Sequence, residues 1–182
     1  MSYLLIDIGN TFLKWGTYGN APPEGRALAL DRAQLFGRVL HEEIPSVMAE
    51  WRRLSTPMRI VISNVAGTQI VNPVLRALEV WPDAPEVHWI TSKAEQCGVR
   101  NGYLNPKALG CDRWAAMIGA RAIVGDRPAL VVVCGTATTM DLLTADGEFV
   151  GGGIMPGLGL MVRALHQNTA TLPDAQGDYV DY

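Results

Sequence analysis

The chain has 182 residues, of which 48% are hydrophobic and 18% charged, with a formal net charge of −3 and a pI of about 5.6. This length allows one large domain or two small ones, and the composition provides enough apolar side chains for a core. The sequence contains no block of Lys or Arg of the kind that binds nucleic acid. Its apolar runs, such as Ala129–Cys134, are too short to cross a bilayer.

The N-terminal segment predicts a first strand. It has no basic region and reaches Asp7 early, which is unlike a signal peptide. The three cysteines, Cys97, Cys111 and Cys134, are odd in number and have no CxxC spacing, which is typical of free thiols in a cytosolic protein. We therefore expect a cytoplasmic protein that does not bind a membrane.

The first part of the chain predicts three strands followed by alternating helices and strands. Apolar and β-branched runs indicate the strands, and apolar side chains at helical spacing indicate the helices. In chain order the predicted elements are strands Tyr3–Ile8, Phe12–Tyr18 and Gly25–Leu30, helix Glu42–Leu54, strand Met58–Ile62, helix Gln69–Val80, strand Val87–Ile90 and helix Lys107–Val124.

The remaining elements repeat the beginning of this order. Three strands are predicted at Ala129–Val133, Thr136–Leu143 and Glu148–Ile154, and a helix at Gly157–His166. We expect an α/β chain built from two similar halves, divided at residues 1–106 and 107–182. The second half stops where the first continues, so we expect a chain shortened relative to its natural gene product.

Two turns at matching places in the halves predict a phosphate clamp. Leu4–Trp15 and Leu130–Asp141 each run from an apolar strand into Gly and small polar residues and then into a second strand. Such turns expose backbone N–H groups that bind phosphate oxygens. The alternatives are an ordinary hairpin in the first copy and a Thr-rich strand in the second.

Asp7 ends the strand before the first turn, where its carboxylate could hold Mg²⁺ against a phosphate. Asn10, Thr11 and Lys14 could add hydrogen-bond donors. When the two segments are aligned at Gly9 and Gly135, Val133 takes the position that Asp7 has in the first segment. The two halves therefore differ in charge at this position. In the alternative interpretation Asp7 bonds only to turn amides.

Further candidate residues lie at the start of the long helix. In Gly110–Trp114, Asp112 could take a proton from a hydroxyl and Arg113 could bind an anion. A surface ion pair is the alternative, but the long preceding loop, Gly98–Pro106, is the kind that carries binding residues. His41 and His166 show no partner pattern and are interpreted as surface or packing residues.

The glycines of Gly151–Gly157 end a strand before a tight turn and a helix. They allow close backbone approach, either to a ligand or to another strand.

With these motifs the chain resembles the type III pantothenate kinases, in the branch of the Bvg accessory factors. That family belongs to the superfamily of acetate kinase, sugar kinases, Hsp70 and actin. The resemblance runs from Ile6 to Pro173 and rests on four motifs in order: Asp7–Thr11, Gly102–Pro106 with Leu109–Trp114, Gly135–Asp141 and Gly151–Gly157.

The resemblance implies a duplicated ribonuclease H-like (actin-like ATPase) fold of two βββαβαβα-type halves, the second incomplete, with a nucleotide cleft between them. It implies phosphorylation of pantothenate by ATP, the first step of coenzyme A synthesis, with Mg²⁺, a monovalent cation (K⁺ or NH₄⁺) and a homodimer. Its ATP-binding residues would be Asp7, Gly9, Asn10, Thr11, Lys14, Gly135, Thr136, Ala137 and Thr138, with Asp7 also on the metal.

By the same resemblance, Tyr103, Gly110, Asp112 and Arg113 would form the pantothenate pocket. Asp112 would be the general base on the terminal hydroxyl, and Arg113 would meet the pantothenate carboxylate. Phosphoryl transfer of this kind depends mainly on positioning and charge stabilisation.

The chain departs from the family in two respects. Many members have an Asp tied to the monovalent cation where this chain has Val133. Members also continue past the C-terminus seen here, into a part that would complete the second half and supply a Thr to the partner subunit's pantothenate.

Two alternative functions remain. One is a non-catalytic accessory protein that retains the ATP-binding fold; the presence of both Asp7 and Asp112 argues against it, while Val133 argues mildly for it. The other is a kinase acting on a neutral alcohol such as a sugar, against which Arg113 argues because it suits an anionic substrate.

Overall fold

The computed structural model describes residues 2–19 and 33–168, which form two mixed five-stranded sheets with helices packed against them. The first sheet has the order β3-β2-β1-β4-β5. Its strands are β1 (Ser2–Ile8), β2 (Phe12–Gly19), β3 (Ala33–Leu40), β4 (Arg59–Asn64) and β5 (Val87–Trp89), and its helices are α1 (Val47–Trp51) and α2 (Val71–Leu78).

The second sheet has the order β6-β7-β10-β9-β8. Its strands are β6 (Glu95–Gln96), β7 (Val99–Asn101), β8 (Ala129–Cys134), β9 (Ala137–Leu143) and β10 (Glu148–Pro156). Two longer helices accompany it, α3 (Cys111–Val124) and α4 (Leu158–Asn168). Short 3₁₀ turns lie at His41–Ser46, Thr68–Ile70 and Pro106–Ala108.

Each sheet contains a meander of three antiparallel strands. β1, β2 and β3 pair antiparallel in sequence order, and β8, β9 and β10 do the same. β1 is also flanked by β4 in parallel, and β4 by β5. Three meandering strands followed by parallel ones make the ribonuclease H-like unit, so the predicted duplicated α/β fold is confirmed.

Tryptophans dominate the core of the first half. Trp15 on β2 meets the edge of Trp51 on α1 at 6.0 Å, and Trp51 stacks on Trp81 at 5.6 Å. Aromatic pairs of this kind contribute about 0.5–1.5 kcal/mol beyond the area that they bury. They fix α1 and the end of α2 against the same face of the sheet and so hold β1 and its turn.

A separate core supports the second half. It consists of six buried side chains from the loop, α3 and the second sheet: Val99, Leu109, Trp114, Met117, Leu143 and Phe149. Trp114 and Met117 lie three residues apart on α3, and both are fully buried. This packing sets the position of the first turn of α3, where the candidate catalytic residues lie.

Helix Glu42–Leu54 was predicted as continuous, and this is wrong. The segment is a 3₁₀ turn containing Pro45, followed by the five-residue helix α1. Proline lacks the N–H that a continuous α-helix needs and clashes with the preceding turn. The predicted inward side chains are nevertheless correct, because Ile44, Val47 and Trp51 are all fully buried.

The start of helix Lys107–Val124 also differs from the prediction. Residues 106–108 form a 3₁₀ turn, Leu109 is extended, and α3 begins only after Gly110. The helix that follows therefore starts at Cys111 and directs its N-terminus at the end of β4.

The third strand of the first sheet is β3, a segment that the sequence patterns did not identify. Exposed Leu35 and Phe36 follow one another there, so the apolar pattern has no alternation. The strand predicted at Gly25–Leu30 lies outside the described residues.

The strand β7 lies within Gly98–Pro106, which was predicted as a loop, and the strand β6 lies just before that segment. β7 pairs in parallel with β10, so residues 95–101 belong to the second sheet. The domain boundary at residue 106 stays a prediction. In the described part of the chain, no helix has the length and apolar character needed to cross a membrane.

Candidate functional site

The two predicted phosphate turns meet in the structure. The Thr11 and Thr136 hydroxyl oxygens, from turns 125 residues apart in sequence, lie 2.8 Å from one another and share a hydrogen bond. Each turn is closed by a backbone bond from its glycine, Gly9 N–H to Phe12 O and Gly135 N–H to Ala137 O, both at 3.0 Å. The tips of the two hairpins therefore form the two sides of one cleft.

Backbone donors remain at the tip of the first turn. Among the described residues, the N–H groups of Asn10 and Thr11 have no hydrogen-bond partner. A Cβ added to Gly9 would meet only Phe12 O at 3.6 Å, which leaves room for a ligand beside the turn. Free N–H groups around an open glycine turn provide the electropositive surface that phosphate oxygens bind.

The second turn is supported by the glycine that starts α4. Gly157 N–H donates to Thr136 O at 2.9 Å. A Cβ on Gly157 would clash with Gly135 O and lie 2.7 Å from Thr136 O, so only glycine allows this contact. The close approach proposed for this glycine segment is thus to another part of the chain, namely the turn itself.

Asp7 lies between its two strand neighbours in the first sheet. Strand register pairs it with Lys14 on β2 and with Ser63 on β4, and its carboxylate is 3.8 Å from Lys14 Nζ. Burial raises the pKa of Asp7; Lys14 lowers that pKa, the Asp112 carboxylate raises it, and a hydrogen bond from Ser63 lowers it. The Asp7 and Asp112 carboxylates therefore lie near enough for their negative charges to repel each other.

Replacing Asp7 by Asn should stabilise the ligand-free protein at neutral pH. A raised carboxyl pKa means that the folded protein loses stability as pH rises through the unfolded and then the folded pKa, because ionised Asp7 is less favourable there than in the unfolded chain. Asn carries no charge, so we expect a Tm about 1–2 °C higher than wild type at pH 7, since partial exposure screens the effect.

Thermal unfolding between pH 4 and pH 8 tests this expectation. The Tm difference between Asp7→Asn and wild type should shrink as pH falls, and the exposed change Asp83→Asn serves as the matched control. A lower Tm for Asp7→Asn at pH 7 would show that the Lys14 and Ser63 contacts outweigh the cost of burial.

The N-terminus of α3 is anchored to the end of β4 by a thiol. Cys111 Sγ lies 3.5 Å from Ser63 Oγ and donates to Asn64 O at 3.4 Å. Ser63 is also the register partner of Asp7, so one serine lies next to both the strand with the first carboxylate and the helix with the second.

Asp112 is held in the first turn of α3. Its Oδ1 accepts a hydrogen bond from the Arg113 N–H at 2.8 Å, and a Cβ on Gly110 would lie 2.5 Å from the same oxygen. The helix N-terminus stabilises a carboxylate at this position. The carboxylate is half-buried in a fixed place, which suits a group that accepts a proton from a bound hydroxyl.

Arg113 is buried in a bidentate ion pair with Asp141 on β9. Arg113 Nε donates to Asp141 Oδ2 at 3.1 Å, and a terminal guanidinium nitrogen donates to Asp141 Oδ1. The hydrogen bond to Asp141 is the largest cause that raises the pKa of Arg113. Asp141 is the member of this pair that the site prediction did not include.

Aromatic rings and a glycine surround this ion pair. The Tyr103 and Phe149 rings pack with their centres 5.2 Å apart, and the Arg113 guanidinium carbon lies 5.8 Å from the centre of the Phe149 ring. Tyr103 also helps to raise the pKa of Arg113. A Cβ on Gly152 would clash with Asp141 and lie 2.9 Å from the Arg113 guanidinium. Gly152 therefore lets β10 pass directly over the pair.

A cavity of about 880 Å³ lies beside the start of α3. Its walls include Asn64 and Val65 after β4, Ile90 to Ala94 after β5, Asn105 to Lys107, and Leu109 to Cys111. Of the predicted pantothenate residues only Gly110 lines it.

The structure thus brings most of the predicted residues into two adjoining groups. Asp7, Gly9, Asn10, Thr11, Lys14, Gly135 and Thr136 lie along the cleft between the turns, and Ala137 and Thr138 begin β9 directly after it. Tyr103 and Arg113 both lie against Phe149, and Asp112 and Gly110 are in the first turn of α3 and just before it. The roles of these residues stay predictions.

Sequence patterns alone missed Ser63, Asp141 and His41. Asp141 had a usable signal: β9 alternates with Thr139, Asp141 and Leu143 all on the buried face, and a buried carboxylate requires a partner. His41 and Ser63 had none, because their contacts to Gly9 and Cys111 join distant parts of the chain.

The residues at the cleft fit a Mg²⁺ ion. Two carboxylates repel each other there, and burial of one disfavours its charge, so a cation would relieve both effects. Mg²⁺ is commonly held by one or two carboxylates together with substrate phosphates. In residues 2–19 and 33–168, no group of three or more His, Cys, Asp or Glu gathers in a way that could hold a metal ion.

Comparison with known proteins identifies the relatives of this chain. The family model of the type III pantothenate kinases matches residues 3–180. The type III pantothenate kinase of Dechloromonas aromatica is 42% identical over 180 residues, covering 97% of this chain and 69% of the relative. That of Aromatoleum aromaticum is 47% identical over 178 residues, covering 97% and 68%. The chain therefore spans about two thirds of their length.

Solved structures resemble the chain more distantly. A conserved Baf family protein from Campylobacter jejuni, described as a transcriptional activator, matches with a TM-score of 0.47 at 17% identity, covering 98% of this chain and 67% of that one.

Proposed function

We propose that the two facing turns and the start of α3 form the active site of this chain. The chain belongs to the type III pantothenate kinase family, so its activity is the ATP-dependent phosphorylation of pantothenate in coenzyme A biosynthesis. The observation that carries this proposal is the contact between Thr11 and Thr136, which joins both turns in one cleft. The mutual repulsion of the Asp7 and Asp112 carboxylates, which a bound cation would relieve, supports it.

In this proposal the turns hold the phosphates of ATP. The free N–H groups of Asn10 and Thr11, with Lys14 nearby, bind phosphate oxygens from the first half, and Gly135 to Thr138 bind from the second. Asp7 would hold Mg²⁺, which would neutralise phosphate charge when bound.

Pantothenate lies on the side of α3. Asp112 accepts the proton of the terminal hydroxyl as that oxygen attacks the γ-phosphorus of ATP, and ADP leaves. Arg113, oriented by Asp141 and Tyr103, directs its remaining N–H groups to the pantothenate carboxylate. Gly110 leaves the space that the Asp112 carboxylate occupies.

The monovalent cation site is the part of the family pattern that this chain changes. Val133 pairs with Thr139 between β8 and β9, and its side chain has no oxygen to bind K⁺ or NH₄⁺. We expect turnover to depend less on K⁺ than is usual in the family, with less than about a twofold loss when Na⁺ replaces K⁺. Val133→Asp should increase that dependence, and a strong K⁺ requirement in the unchanged protein would show that other ligands replace the Asp.

We also propose a cytoplasmic homodimer that associates through the second half. The support is the family resemblance together with the exposed apolar side chains of β8 and α4, among them Leu130, Val132 and Leu158. A concentration series in analytical ultracentrifugation tests the oligomeric state.

The test of the function is ADP release by the purified protein with MgATP, measured with and without pantothenate. We expect release that depends on pantothenate. Release that is equal in both conditions, or absent with MgATP binding intact, would favour the accessory protein that retains the ATP-binding fold.

A further inference from the structure

His41 contacts the first phosphate turn from a distant part of the chain. Its Nε2 lies 2.8 Å from the carbonyl oxygen of Gly9, across a separation of 32 residues. Because a carbonyl oxygen only accepts hydrogen bonds, Nε2 must carry the proton. Both the neutral tautomer with a proton on Nε2 and the charged imidazolium meet this requirement.

The backbone around His41 fixes the place of the ring. Leu40, the residue before it, pairs with Phe12 at the end of β3, and its N–H donates to Glu43 Oε2 at 3.0 Å. Ile44, three residues after His41, is fully buried in the first core. His41 thus begins its 3₁₀ turn from a rigid position beside the phosphate turn.

With this contact, both the N–H and the carbonyl group of Gly9 have a hydrogen-bond partner. The Gly9 N–H donates to Phe12 O at 3.0 Å, and the Gly9 carbonyl accepts from His41. In a planar trans peptide the carbonyl and the following N–H point to opposite sides. Fixing Gly9 O on His41 therefore directs the N–H of Asn10 away from the ring, and that N–H is one of the free donors of the turn.

We propose that His41 is a positioning residue for the nucleotide: it holds the Gly9–Asn10 peptide so that the Asn10 N–H is already oriented toward a phosphate oxygen. The inference rests on the proposed function of the cleft. His41 acts through the backbone of the turn, so its loss should weaken nucleotide binding and leave pantothenate binding unaffected.

Steady-state kinetics of His41→Phe and His41→Gln test this role. Phe keeps a ring of similar size without a donor, and we expect it to raise the KM for ATP about fivefold to tenfold with the KM for pantothenate unchanged. The amide nitrogen of Gln lies at about the distance of Nε2 from Cα, so His41→Gln should restore the ATP KM to within about twofold of wild type. His88→Phe is the matched control, because His88 is an exposed residue of β5.

Three outcomes would overturn the role. They are an unchanged ATP KM in His41→Phe, a loss in His41→Gln equal to that in His41→Phe, and an equal rise of both KM values with a lowered Tm, which indicates a general structural effect. If wild-type protein shows no pantothenate-dependent ADP release, the proposed function fails. Calorimetric titration with MgADP still decides the role of His41: weaker binding in His41→Phe supports it, and equal binding overturns it.

Discussion

Replacing Asp112 by Asn should lower pantothenate-dependent turnover by about 10²–10⁴-fold, because the amide cannot accept the proton of the attacking hydroxyl. The change is nearly isosteric, and Asn can keep the hydrogen bond from the Arg113 N–H, which is now 2.8 Å long. The KM for ATP should therefore stay within about twofold of wild type. Initial rates of ADP release and a calorimetric titration with MgADP measure the two effects separately.

Asp83→Asn is the matched control, since Asp83 is an exposed carboxylate away from the cleft. It removes the same charge and should leave turnover unchanged. Normal turnover in Asp112→Asn would refute the assignment of the base. A parallel loss of MgADP binding would instead indicate that the main role of Asp112 is to hold the metal together with Asp7.

Replacing Asp141 by Ala should destabilise the protein strongly. The carboxylate is 1% exposed and its partner Arg113 only 8%, so the change leaves a buried guanidinium without its counter-ion. Breaking a buried pair from one side costs about 3–5 kcal/mol. For a chain of this size we expect a fall in Tm of about 6–20 °C, measured by thermal unfolding.

The exposed ion pair between Arg100 and Asp146, at 2.8 Å, provides the matched control. Asp146→Ala removes the same residue type from an Arg pair, but water solvates both partners, so its Tm should not change measurably. The double change Arg113→Met with Asp141→Leu should be more stable than Asp141→Ala, because neither charge then remains buried. If the double variant is as unstable as Asp141→Ala, the bidentate hydrogen bonds between Arg113 and Asp141 are themselves needed to hold β9 against α3.

Local patterns predicted the central strands closely and the helix ends poorly. The hairpins β1–β2 and β8–β9 follow from apolar runs interrupted by a glycine turn, which is information contained in a few adjacent residues. The start of α1 depended on Pro45, and the start of α3 depended on the extended Leu109 before Gly110. The strands β6 and β7 are two and three residues long, too short for any period to appear.

By itself the sequence determined the duplicated order of elements and the residue types that the chemistry needs. Gly9, Gly135, Asp7 and Asp112 are recognisable because turns and carboxylates require particular residues at particular spacings. Only the tertiary structure decided which of them meet. The contacts of Thr11 with Thr136, of Arg113 with Asp141 and of His41 with Gly9 join residues 125, 28 and 32 positions apart. Such contacts depend on how the two sheets and α3 pack, and no local pattern contains that information.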